Sequence, residues 1–500
     1  MEQRTEPRTG ETLILVRLGA ELSIKSRRTR SSFQRQLVRN LRDALRSAGA
    51  SFEVEGGWSR LFVRARSPEA IPVLTRVFGV SSVSPVERVV PARLDDIVAA
   101  GAEAFADRVR GRTFAVRARR TGQHPFTSQD IQVQLGAALD AHGDVDLDRP
   151  DITVHVEVRE GEAYLFAERV PGAGGLPVGV EGRAVALLSG GFDSAVAAWL
   201  MLKRGIALDY VFCNLGGDAY ERAVVQVAKI LADDWSYGTR PRLHVVDFGE
   251  VLQELRARAK PAYWQVVLKR LMYRAASRIG AELGAQAIVT GESVGQVSSQ
   301  TLANLRAIEP AATLPVFRPL LGFDKEEIIA RARAIGTAAL SERVKEYCAI
   351  APGRPVTASS PEAAAAAEAR LDPATLESAV ARRKVLDLRA LAPADLVAPY
   401  LFTTRIPDDA VVIDCRPEPQ YRAWHLPGAE HREEYALLQE FRRLDKDRTY
   451  VLYCQHGIQT AYLAERMQRE GYEAYSFKGG LRGILRYAQE HGLLPAGLTP

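Results

Sequence analysis

The chain has few cysteines and no long apolar run, and each absence excludes a class of protein. Its four cysteines, Cys213, Cys348, Cys415 and Cys454, are spread over 500 residues, which is too few for a disulfide-stapled secreted domain. No pair has CxxC spacing, so a structural zinc site is not expected. No apolar stretch approaches the length that spans a bilayer, and the first residues are polar. No membrane association is therefore expected, and the expected location is cytoplasmic.

The Walker A phosphate-binding motif is also absent, because GxxxxGK[ST] occurs nowhere in the chain. A P-loop NTPase is therefore excluded. The composition is otherwise that of a globular protein, with 47% hydrophobic and 25% charged residues. A chain of this length is too long for a single core, so three or four domains are expected.

Positive charge is concentrated in the first third of the chain, although the net charge is only +5. Two basic clusters occur there: Lys25, Arg27, Arg28, Arg30, Arg35, Arg39, Arg42 and Arg46, and then Arg108, Arg110, Arg112, Arg117, Arg119 and Arg120. One such cluster is usually a solvated face, but two in one region indicate a polyanionic partner.

Hydrophobic periodicity predicts two small α+β units at the N-terminus. Residues 1–80 show a βαββα order, typical of a ferredoxin-like unit. Its first helix is predicted over residues 31–48, with an apolar stripe on one face and arginines on the other. Residues 81–170 form the second unit, and a Gly- and Pro-rich stretch at 170–179 is the predicted link to the next domain.

Residues 176–395 alternate apolar strands with amphipathic helices, which predicts an open, doubly wound, mostly parallel sheet. The ligand of such a sheet lies beyond the carboxyl ends of the strands, where Ser189, Asn214 and Gly291 fall in this interpretation. The alanine-rich segment 361–383 is predicted to be helical and to pack on this domain. A final α/β domain is predicted over residues 405–490.

The central motif is Val185-Ala-Leu-Leu-Ser-Gly-Gly-Phe-Asp-Ser194, a short apolar strand followed by a turn and a helix. Gly190 and Gly191 allow the backbone to approach a ligand closely. Ser189, Ser194 and the first helix amides can donate hydrogen bonds to phosphate oxygens, aided by the helix dipole. The pattern therefore predicts a nucleotide phosphate site, whereas its structural alternative is an ordinary strand-to-helix turn.

This loop resembles that of the PP-loop ATPases, which adenylate a substrate and release pyrophosphate. Three further pieces, Val267-Leu-Lys-Arg270, Val289-Thr-Gly-Glu-Ser293 and Val297-Ser-Ser-Gln-Thr301, make the resemblance specific for the tRNA 4-thiouridine synthetases. The resemblance implies an adenine nucleotide hydrolase-like domain with an ATP site lined by Leu187, Leu188, Lys269, Gly291 and Gln300. Asp193 is the candidate for holding Mg²⁺ or orienting the reacting phosphate. Lys325 is a weaker phosphate candidate.

The second N-terminal unit resembles a THUMP domain, the module that docks on the acceptor end of tRNA. The resemblance rests on Thr113-Phe-Ala-Val-Arg-Ala-Arg-Arg120, on residues 129–139 and on Asp151-Ile-Thr-Val-His-Val-Glu157. It implies RNA binding by Arg117, Arg119 and Arg120, for which a charged strand edge is the structural alternative. Phosphate contacts of this kind would position RNA without reading its sequence.

The last domain resembles rhodaneses, through Val412-Ile-Asp-Cys-Arg416, His425-Leu-Pro-Gly-Ala429 and Phe477-Lys-Gly-Gly480. Cys454 begins a loop between a strand and a helix. Amides of such a loop and the helix dipole are expected to lower the pKa of Cys454 and to stabilise a thiolate or persulfide. Cys454 is therefore the predicted sulfur-carrying nucleophile, whereas Cys213 and Cys415 are assigned to packing.

The family resemblance also implies a resolving cysteine, Cys348, in the context Val344-Lys-Glu-Tyr-Cys348. Cys348 would form a transient disulfide with Cys454, which a reductant would reopen. The persulfide would come from a cysteine desulfurase, and the target would be uridine at tRNA position 8. Some members also supply sulfur for the thiazole of thiamine.

Two other functions are compatible with parts of the sequence. A PP-loop ligase adenylating another RNA or a small molecule would explain the nucleotide loop, but not the pairing of Cys348 with Cys454. An RNA-binding scaffold with decayed sites would explain the arginines, but not the intact SGGFDS and Cys454 loops. Pyrophosphate release that depends on added tRNA distinguishes the three.

Overall fold

The computed structural model of the chain describes residues 11–56, 60–67, 69–215, 217–342, 344, 354–392, 401–455 and 457–494. The described residues form four mixed α/β sheets. They divide into two compact units, one of residues 11–25 and 48–174 and the other of residues 26–47 and 175–494. This multidomain α+β and α/β architecture is the predicted fold class, which is confirmed.

The first sheet has the strand order β10-β4-β1-β3-β2 and is ferredoxin-like. Its elements are β1 (Thr12–Leu18), α1 (Ala20–Ser23), α2 (Arg27–Ser47), β2 (Ser51–Gly56), β3 (Arg60–Arg66), α3 (Ala70–Arg76) and β4 (Val80–Val86). The alternation of apolar residues predicted β1 to β3 but not β4. Serines and Pro85 weaken the β signal of that strand. Pro85 is tolerated because, among the residues that the structure describes, β10 pairs with β4 at Ser82 and Val83 and not at Pro85.

The second sheet has the order β5-β9-β8-β6-β7 and spans residues 88–166. Its elements are β5 (Arg88–Pro91), α4 (Leu94–Val109), β6 (Thr113–Thr121), α5 (Ser128–Leu139), β7 (Asp144–Val145), β8 (Ile152–Arg159) and β9 (Glu162–Phe166). Phe114, Val116, Ile131 and Leu135 belong to one core cluster, so α5 covers the face of β6 that carries the even-numbered residues. The strand β10 (Val170–Pro171) returns to the first sheet. Part of the predicted link is therefore an edge strand.

Helix α2 shows the amphipathic stripe that the sequence predicted. Phe33, Leu37, Leu41, Ala44 and Leu45 are buried, whereas most of its arginines are exposed. The helix belongs to the second unit. There the side chain of Asn40 donates to the carbonyl of Val178 at 3.1 Å, and Asp43 pairs with Arg389 at 2.5 Å.

The third sheet has the order β15-β14-β11-β12-β13-β16. Its elements are β11 (Arg183–Leu187), α6 (Phe192–Lys203), β12 (Ala207–Asn214), α7 (Gly217–Trp235), β13 (Arg242–Asp247), α8 (Gly249–Arg258), α9 (Trp264–Glu282), β14 (Ile288–Val289), α10 (Leu302–Ile308), β15 (Val316–Phe317), α11 (Lys325–Ala334), α12 (Ala338–Ser341), α13 (Pro361–Glu368), α14 (Pro373–Ala381) and β16 (Lys384–Asp387). The chain runs from β11 outward to β13 and then returns to β14 on the other side of β11. That reversal places a crevice at the carboxyl ends of β11 and β14.

The alanine-rich segment packs on the third sheet, as predicted, in the form of α13 and α14. Leu371, Ala379 and Val380 join the core that contains α8 and α9. The buried Arg270 of α9 donates to Glu368 at 2.6 Å. Strand β16 then pairs antiparallel with β13 at the sheet edge.

The fourth sheet has the order β17-β21-β20-β18-β19 and is parallel throughout its described pairs. Its elements are β17 (Phe402–Thr403), β18 (Val411–Asp414), α15 (Glu418–Ala423), β19 (Glu430–His431), α16 (Glu434–Glu440), β20 (Thr449–Tyr453), α17 (Ile458–Arg469), β21 (Glu473–Phe477) and α18 (Gly480–Glu490). Among all helices of the described residues, none is long and apolar enough to cross a membrane.

Candidate functional site

A cavity of about 340 Å³ lies at the carboxyl ends of β11 and β14. This volume falls within the range of small-molecule sites. Of the residues predicted to contact a nucleotide or metal, those lining it are Leu187, Leu188, Ser189, Gly191, Asp193, Ser194, Lys269, Gly291, Gln300 and Lys325. Asn214, also predicted to lie at a strand end, is buried, and its carbonyl accepts from the amide of Phe248 at 3.0 Å. The topology therefore brings together pieces of sequence more than 130 residues apart.

Hydrogen bonds within the turn between β11 and α6 fix the conformation of that turn. Gly190 adopts a left-handed φ of 77°, which glycine tolerates best. The amide of Ser189 donates to the Ser194 hydroxyl at 3.2 Å, and that hydroxyl lies 3.1 Å from the carbonyl of Gly191. Gly191 is the residue before the helix, and it has no side chain that could cap the first amides of α6. Those amides can therefore bind an anion in the cavity.

Glycine is required at position 291 because the backbone there approaches the backbone at the start of α6. A Cβ atom at this position would lie 2.5 Å from the carbonyl carbon of Asp193 and 2.6 Å from the amide nitrogen of Ser194. The end of β14 therefore packs directly on the start of α6. The sequence predicted Gly291 as part of the ATP-site lining, and the structure adds a packing requirement within the protein itself.

Asp193 lies in the cavity and contacts two side chains, neither of which the sequence had predicted as its partner. Its carboxylate pairs with Lys325 at 2.9 Å and accepts from the side chain of Gln296 at 3.0 Å. Among the described residues, no three His, Cys, Asp or Glu side chains group as a metal site. Mg²⁺ is commonly held by one carboxylate and the phosphates of a nucleotide, so Asp193 alone fits that donor set.

Glu292 is the centre of a buried polar network that sequence reasoning missed. One carboxylate oxygen accepts from the Tyr273 hydroxyl at 2.5 Å, from Arg318 at 2.9 Å and from the Thr290 hydroxyl at 3.1 Å. The other oxygen lies 3.9 Å from the ammonium of Lys269. Burial by itself would raise the pKa of Glu292, but Lys269, the Tyr273 hydroxyl and Arg318 hold it below its ordinary value. Glu292 therefore remains ionised and fixes Lys269 at the cavity wall.

Gln300 is partly committed to the protein. Its side-chain oxygen accepts from the amide of Ser293 at 3.3 Å, so its amide nitrogen is the group that could contact a ligand.

The signal that could have identified Glu292 is its place in Val289-Thr-Gly-Glu-Ser293, a charged residue directly after a buried strand.

Cys454 lies at the end of β20, in the loop before α17, and is only 2% exposed. The amide of Gly457 donates to its sulfur at 3.2 Å, and the Thr460 hydroxyl lies 3.5 Å from the sulfur. The start of α18 closes the loop from the other side, where the amide of Leu481 donates to the carbonyl of Cys454 at 2.9 Å. A Cβ at Gly480 would come within 2.7 Å of that carbonyl oxygen, so only glycine permits this approach.

The predicted lowering of the Cys454 pKa is wrong for the free thiol. Burial, the largest influence, raises the pKa of Cys454 above its ordinary value, although the contacts from Thr460 and Gly457 act in the opposite direction. The prediction counted the loop donors but could not include the loss of water around the sulfur. Burial, followed by the charges of Cys454 and Asp414, also raises the pKa of Cys415, which lies in the same core cluster.

A buried ion pair supports the sulfur loop from the neighbouring strand. Arg416 and Asp414 are about 1% and 0% exposed and pair at 2.6 Å. Arg416 also donates to the carbonyl of Trp424 at 2.6 Å, and its guanidinium lies 5.6 Å from the ring centre of Tyr453. The Asp-Cys-Arg sequence therefore connects β18 to the residue that precedes Cys454.

The three arginines predicted to bind RNA lie between the middle and the end of β6, but they do not share one face. Arg117 and Arg119 are exposed and lie opposite His155 and Glu157 of β8, whereas Arg120 falls on the other face of the strand. Arg120 donates to the carbonyl of Gly122 at 3.2 Å. Burial, and then the charges of Arg17, Arg169, Arg119 and Arg117, lower the pKa of His155 to about 4.

The resolving cysteine predicted from the sequence, Cys348, lies outside the described residues, which stop at Val344 and resume at Arg354. The cysteines that the structure does describe, Cys213, Cys415 and Cys454, are free and buried. Cys213 belongs to the core of the third sheet and also lines the cavity.

The sheets and sites define a class of protein: an α/β domain with a PP-loop type cavity, accompanied by a THUMP-like domain and a rhodanese-like domain with a buried cysteine. Four families match the chain in this order: the ThiI ferredoxin-like domain at residues 13–84, the THUMP domain at 91–168, the "Thiamine biosynthesis protein (ThiI)" family at 179–372 and the rhodanese-like domain at 401–486.

Curated relatives match over nearly the whole chain. The tRNA sulfurtransferase of Pyrobaculum aerophilum is 38% identical, covering 93% of this chain and 96% of the relative. That of Desulfurococcus amylolyticus is 40% identical, covering 93% and 97%. A solved 4-thiouridine synthetase, in complex with RNA and bound ATP, is 32% identical with a TM-score of 0.67, covering 75% of this chain and 99% of that one. The chain belongs to the tRNA sulfurtransferase family.

Proposed function

We propose that this protein is an ATP-dependent tRNA sulfurtransferase that converts a uridine, at position 8 of tRNA, into 4-thiouridine. The observation that carries the proposal is the presence, in one chain, of the cavity at Ser189–Ser194 and the enclosed sulfur of Cys454. One site is suited to activating an oxygen and the other to carrying the sulfur that replaces it. The relatives named as tRNA sulfurtransferases and the synthetase solved with RNA and ATP support the same assignment.

In the first step, the ring-4 oxygen of uridine attacks the α-phosphorus of ATP and pyrophosphate leaves. The amides at the start of α6, with Ser189 and Ser194, would hold the phosphates. Lys269 and Lys325 supply positive charge, and Gly190, Gly191 and Gly291 keep the backbone close. Leu187, Leu188 and Gln300 would contact the nucleoside. Asp193 would hold Mg²⁺, which when bound neutralises phosphate charge.

In the second step, a persulfide on Cys454 replaces the activated oxygen. Its outer sulfur lies one S–S bond, about 2.05 Å, beyond the buried Sγ and carries the negative charge. The high pKa of the free thiol therefore does not prevent a charged outer sulfur. That sulfur attacks ring carbon 4 and AMP leaves, giving a disulfide between Cys454 and the base.

Cys348 then attacks Sγ of Cys454, the S–S bond to the base breaks, and 4-thiouridine is released with a Cys348–Cys454 disulfide. Alternatively, Cys348 attacks the persulfide first and frees hydrosulfide, which attacks carbon 4. Either route needs a reductant to restore both thiols, which favours the cytoplasm as the location. A cysteine desulfurase would supply the persulfide, and the same group could serve the synthesis of the thiamine thiazole.

The exposed Arg117 and Arg119 would contact RNA phosphates, together with Arg120 on the opposite face of β6. Such contacts orient the tRNA without sequence readout. Their contribution should therefore weaken as salt concentration rises.

The test is mass analysis of nucleosides from unmodified tRNA incubated with this protein, ATP, Mg²⁺ and a persulfide donor. We expect a gain of one sulfur in place of one oxygen at a uridine, together with pyrophosphate release that depends on tRNA. Two variants separate the steps. Cys454→Ser should abolish sulfur gain and keep pyrophosphate release, whereas Asp193→Ala should lose pyrophosphate release and keep tRNA binding. Equal loss of both activities in Cys454→Ser would contradict the division of labour.

A further inference from the structure

A segment of the nucleotide domain, Asp324–Glu342 with Val344, lies between β15 and α13 in the chain and is called here the connecting segment, because it lines the nucleotide cavity and also contacts the helix that follows the sulfur loop. It consists of α11, a turn at Gly336, α12 and the residues that follow. Asp324 begins α11 with a reciprocal capping box, and Gly336 ends it with a left-handed φ of 81°. Local interactions therefore define both ends of α11.

Both ends of the connecting segment lie in the nucleotide cavity. At its start, Lys325 pairs with Asp193 at 2.9 Å. At its end, Ser341, Glu342 and Val344 line the cavity wall. The Ser341 residue is 2% exposed, and its hydroxyl has no hydrogen-bond partner among the described residues. A molecule in the cavity can therefore bind the segment directly.

The middle of the connecting segment holds the helix that follows the sulfur loop. The side-chain amide of Gln459, the second residue of α17, donates to the carbonyl of Gly336 at 2.9 Å. Beside this bond, α12 packs against α16 and α17. Gln459 lies two residues after Gly457, whose amide donates to the sulfur of Cys454. The bond therefore fixes the start of α17, and with it the sulfur loop, against the nucleotide domain.

We propose that Gln459 is a positioning residue: its bond to Gly336 docks the Cys454 loop on the connecting segment so that sulfur is presented to the base activated in the cavity. This inference rests on the proposed function and adds to it the contact that joins the two sites. Gln459 touches no reacting atom. Loss of the Gln459 bond should therefore slow only the transfer of sulfur to the activated base, which needs both sites together. Adenylation at the cavity and sulfur loading of Cys454 should proceed without the bond.

The experiment compares Gln459→Ala with Gln468→Ala in the full chain. Gln468 is a matched control, because it lies on the same helix and its side chain also donates to a backbone carbonyl, that of Ala474 at 2.7 Å, but within the fourth sheet's own domain. Three rates are measured for each protein: thiosulfate-to-cyanide sulfur transfer, tRNA-dependent pyrophosphate release, and formation of 4-thiouridine in a single turnover from a preformed persulfide.

Loss of one neutral hydrogen bond corresponds to roughly a three- to tenfold effect. We expect Gln459→Ala to slow 4-thiouridine formation by that factor while leaving the other two rates within about twofold of the parent. Gln468→Ala should leave the ratio of 4-thiouridine formation to thiosulfate turnover unchanged. A conservative Gln459→Glu variant places a carboxylate against the Gly336 carbonyl and should be at least as slow as Gln459→Ala.

Two results would overturn the inference: an unchanged rate of 4-thiouridine formation in Gln459→Ala, or a parallel fall in thiosulfate turnover, which would mean that the residue only stabilises its own domain. Failure of the parent protein to form 4-thiouridine at all would instead refute the proposed function. The two failures are thus distinguishable.

Discussion

Replacing Glu292 by glutamine tests whether the buried network behind the cavity depends on charge. The carboxylate is 2% exposed and receives three hydrogen bonds at one oxygen, while the other oxygen faces Lys269. Glutamine has the same size and keeps one acceptor oxygen. It removes the negative charge and directs an amide group at the Lys269 ammonium.

The expected loss follows from the contacts. A hydrogen bond to a charged group contributes about 1.5–3 kcal/mol and a neutral one about 0.5–1.5, so the Tyr273 bond alone, which becomes neutral in the variant, loses about 1–2 kcal/mol. Arg318 keeps Glu309 as a second partner, and Lys269 is partly solvated, so the full cost of an isolated buried charge is not reached. We expect Glu292→Gln to lower the free energy of unfolding by about 1–2 kcal/mol, and Glu292→Ala by about 3–5 kcal/mol.

The pH dependence has a defined sign. Because the folded protein holds the pKa of Glu292 below its ordinary value, its charge stabilises the fold above the unfolded-state pKa of about 4.3. That contribution is lost as pH falls through the folded-state pKa. The difference between parent and Glu292→Gln should therefore be constant from pH 6 to 8 and shrink in acid.

Urea unfolding followed by tryptophan fluorescence measures the effect, since Trp199, Trp235 and Trp264 lie in this domain. Glu309→Gln is the control: it removes the other carboxylate bound to Arg318, but one that is about half exposed, and its effect should stay below about 1 kcal/mol. Equal losses for the two variants, or a difference that persists undiminished at low pH, would refute the reasoning.

Two further predictions concern the cavity and the sulfur loop. Gly291→Ala should lower the free energy of unfolding by about 1–3 kcal/mol and weaken ATP binding measured by equilibrium dialysis, because the new methyl group would meet the backbone of Asp193. The control variant Gly322→Ala has open space around the new methyl group and should change neither quantity. Equal effects of the two variants would contradict the packing argument. Alkylation of Cys454 by iodoacetamide, followed by peptide mass analysis, should be slow at pH 7 and still rising above pH 9, since only the thiolate reacts and burial raises the thiol pKa. A rate that levels off below pH 8 would disprove the raised pKa.

Local sequence patterns determined the elements and their order. The stripe of Phe33, Leu37 and Leu41 on α2 needed only the helical period, and the strand-turn-helix at Ser189–Ser194 needed only an apolar run followed by glycines. Strand β4 was not predicted because Pro85 and the serines differ from the usual composition of a strand. Its place beside β1 is set by tertiary pairing.

The amino-acid sequence by itself determined which side chains are candidates for the chemistry, because SGGFDS and the loop after Cys454 are motifs of a few consecutive residues. Only the tertiary structure decided which of these groups meet. Lys325 reaches Asp193, and Gln459 reaches Gly336, across more than a hundred residues. The tertiary structure also decided the sign of the Cys454 pKa shift, because desolvation depends on everything packed around the sulfur and donor strength only on its neighbours in the loop.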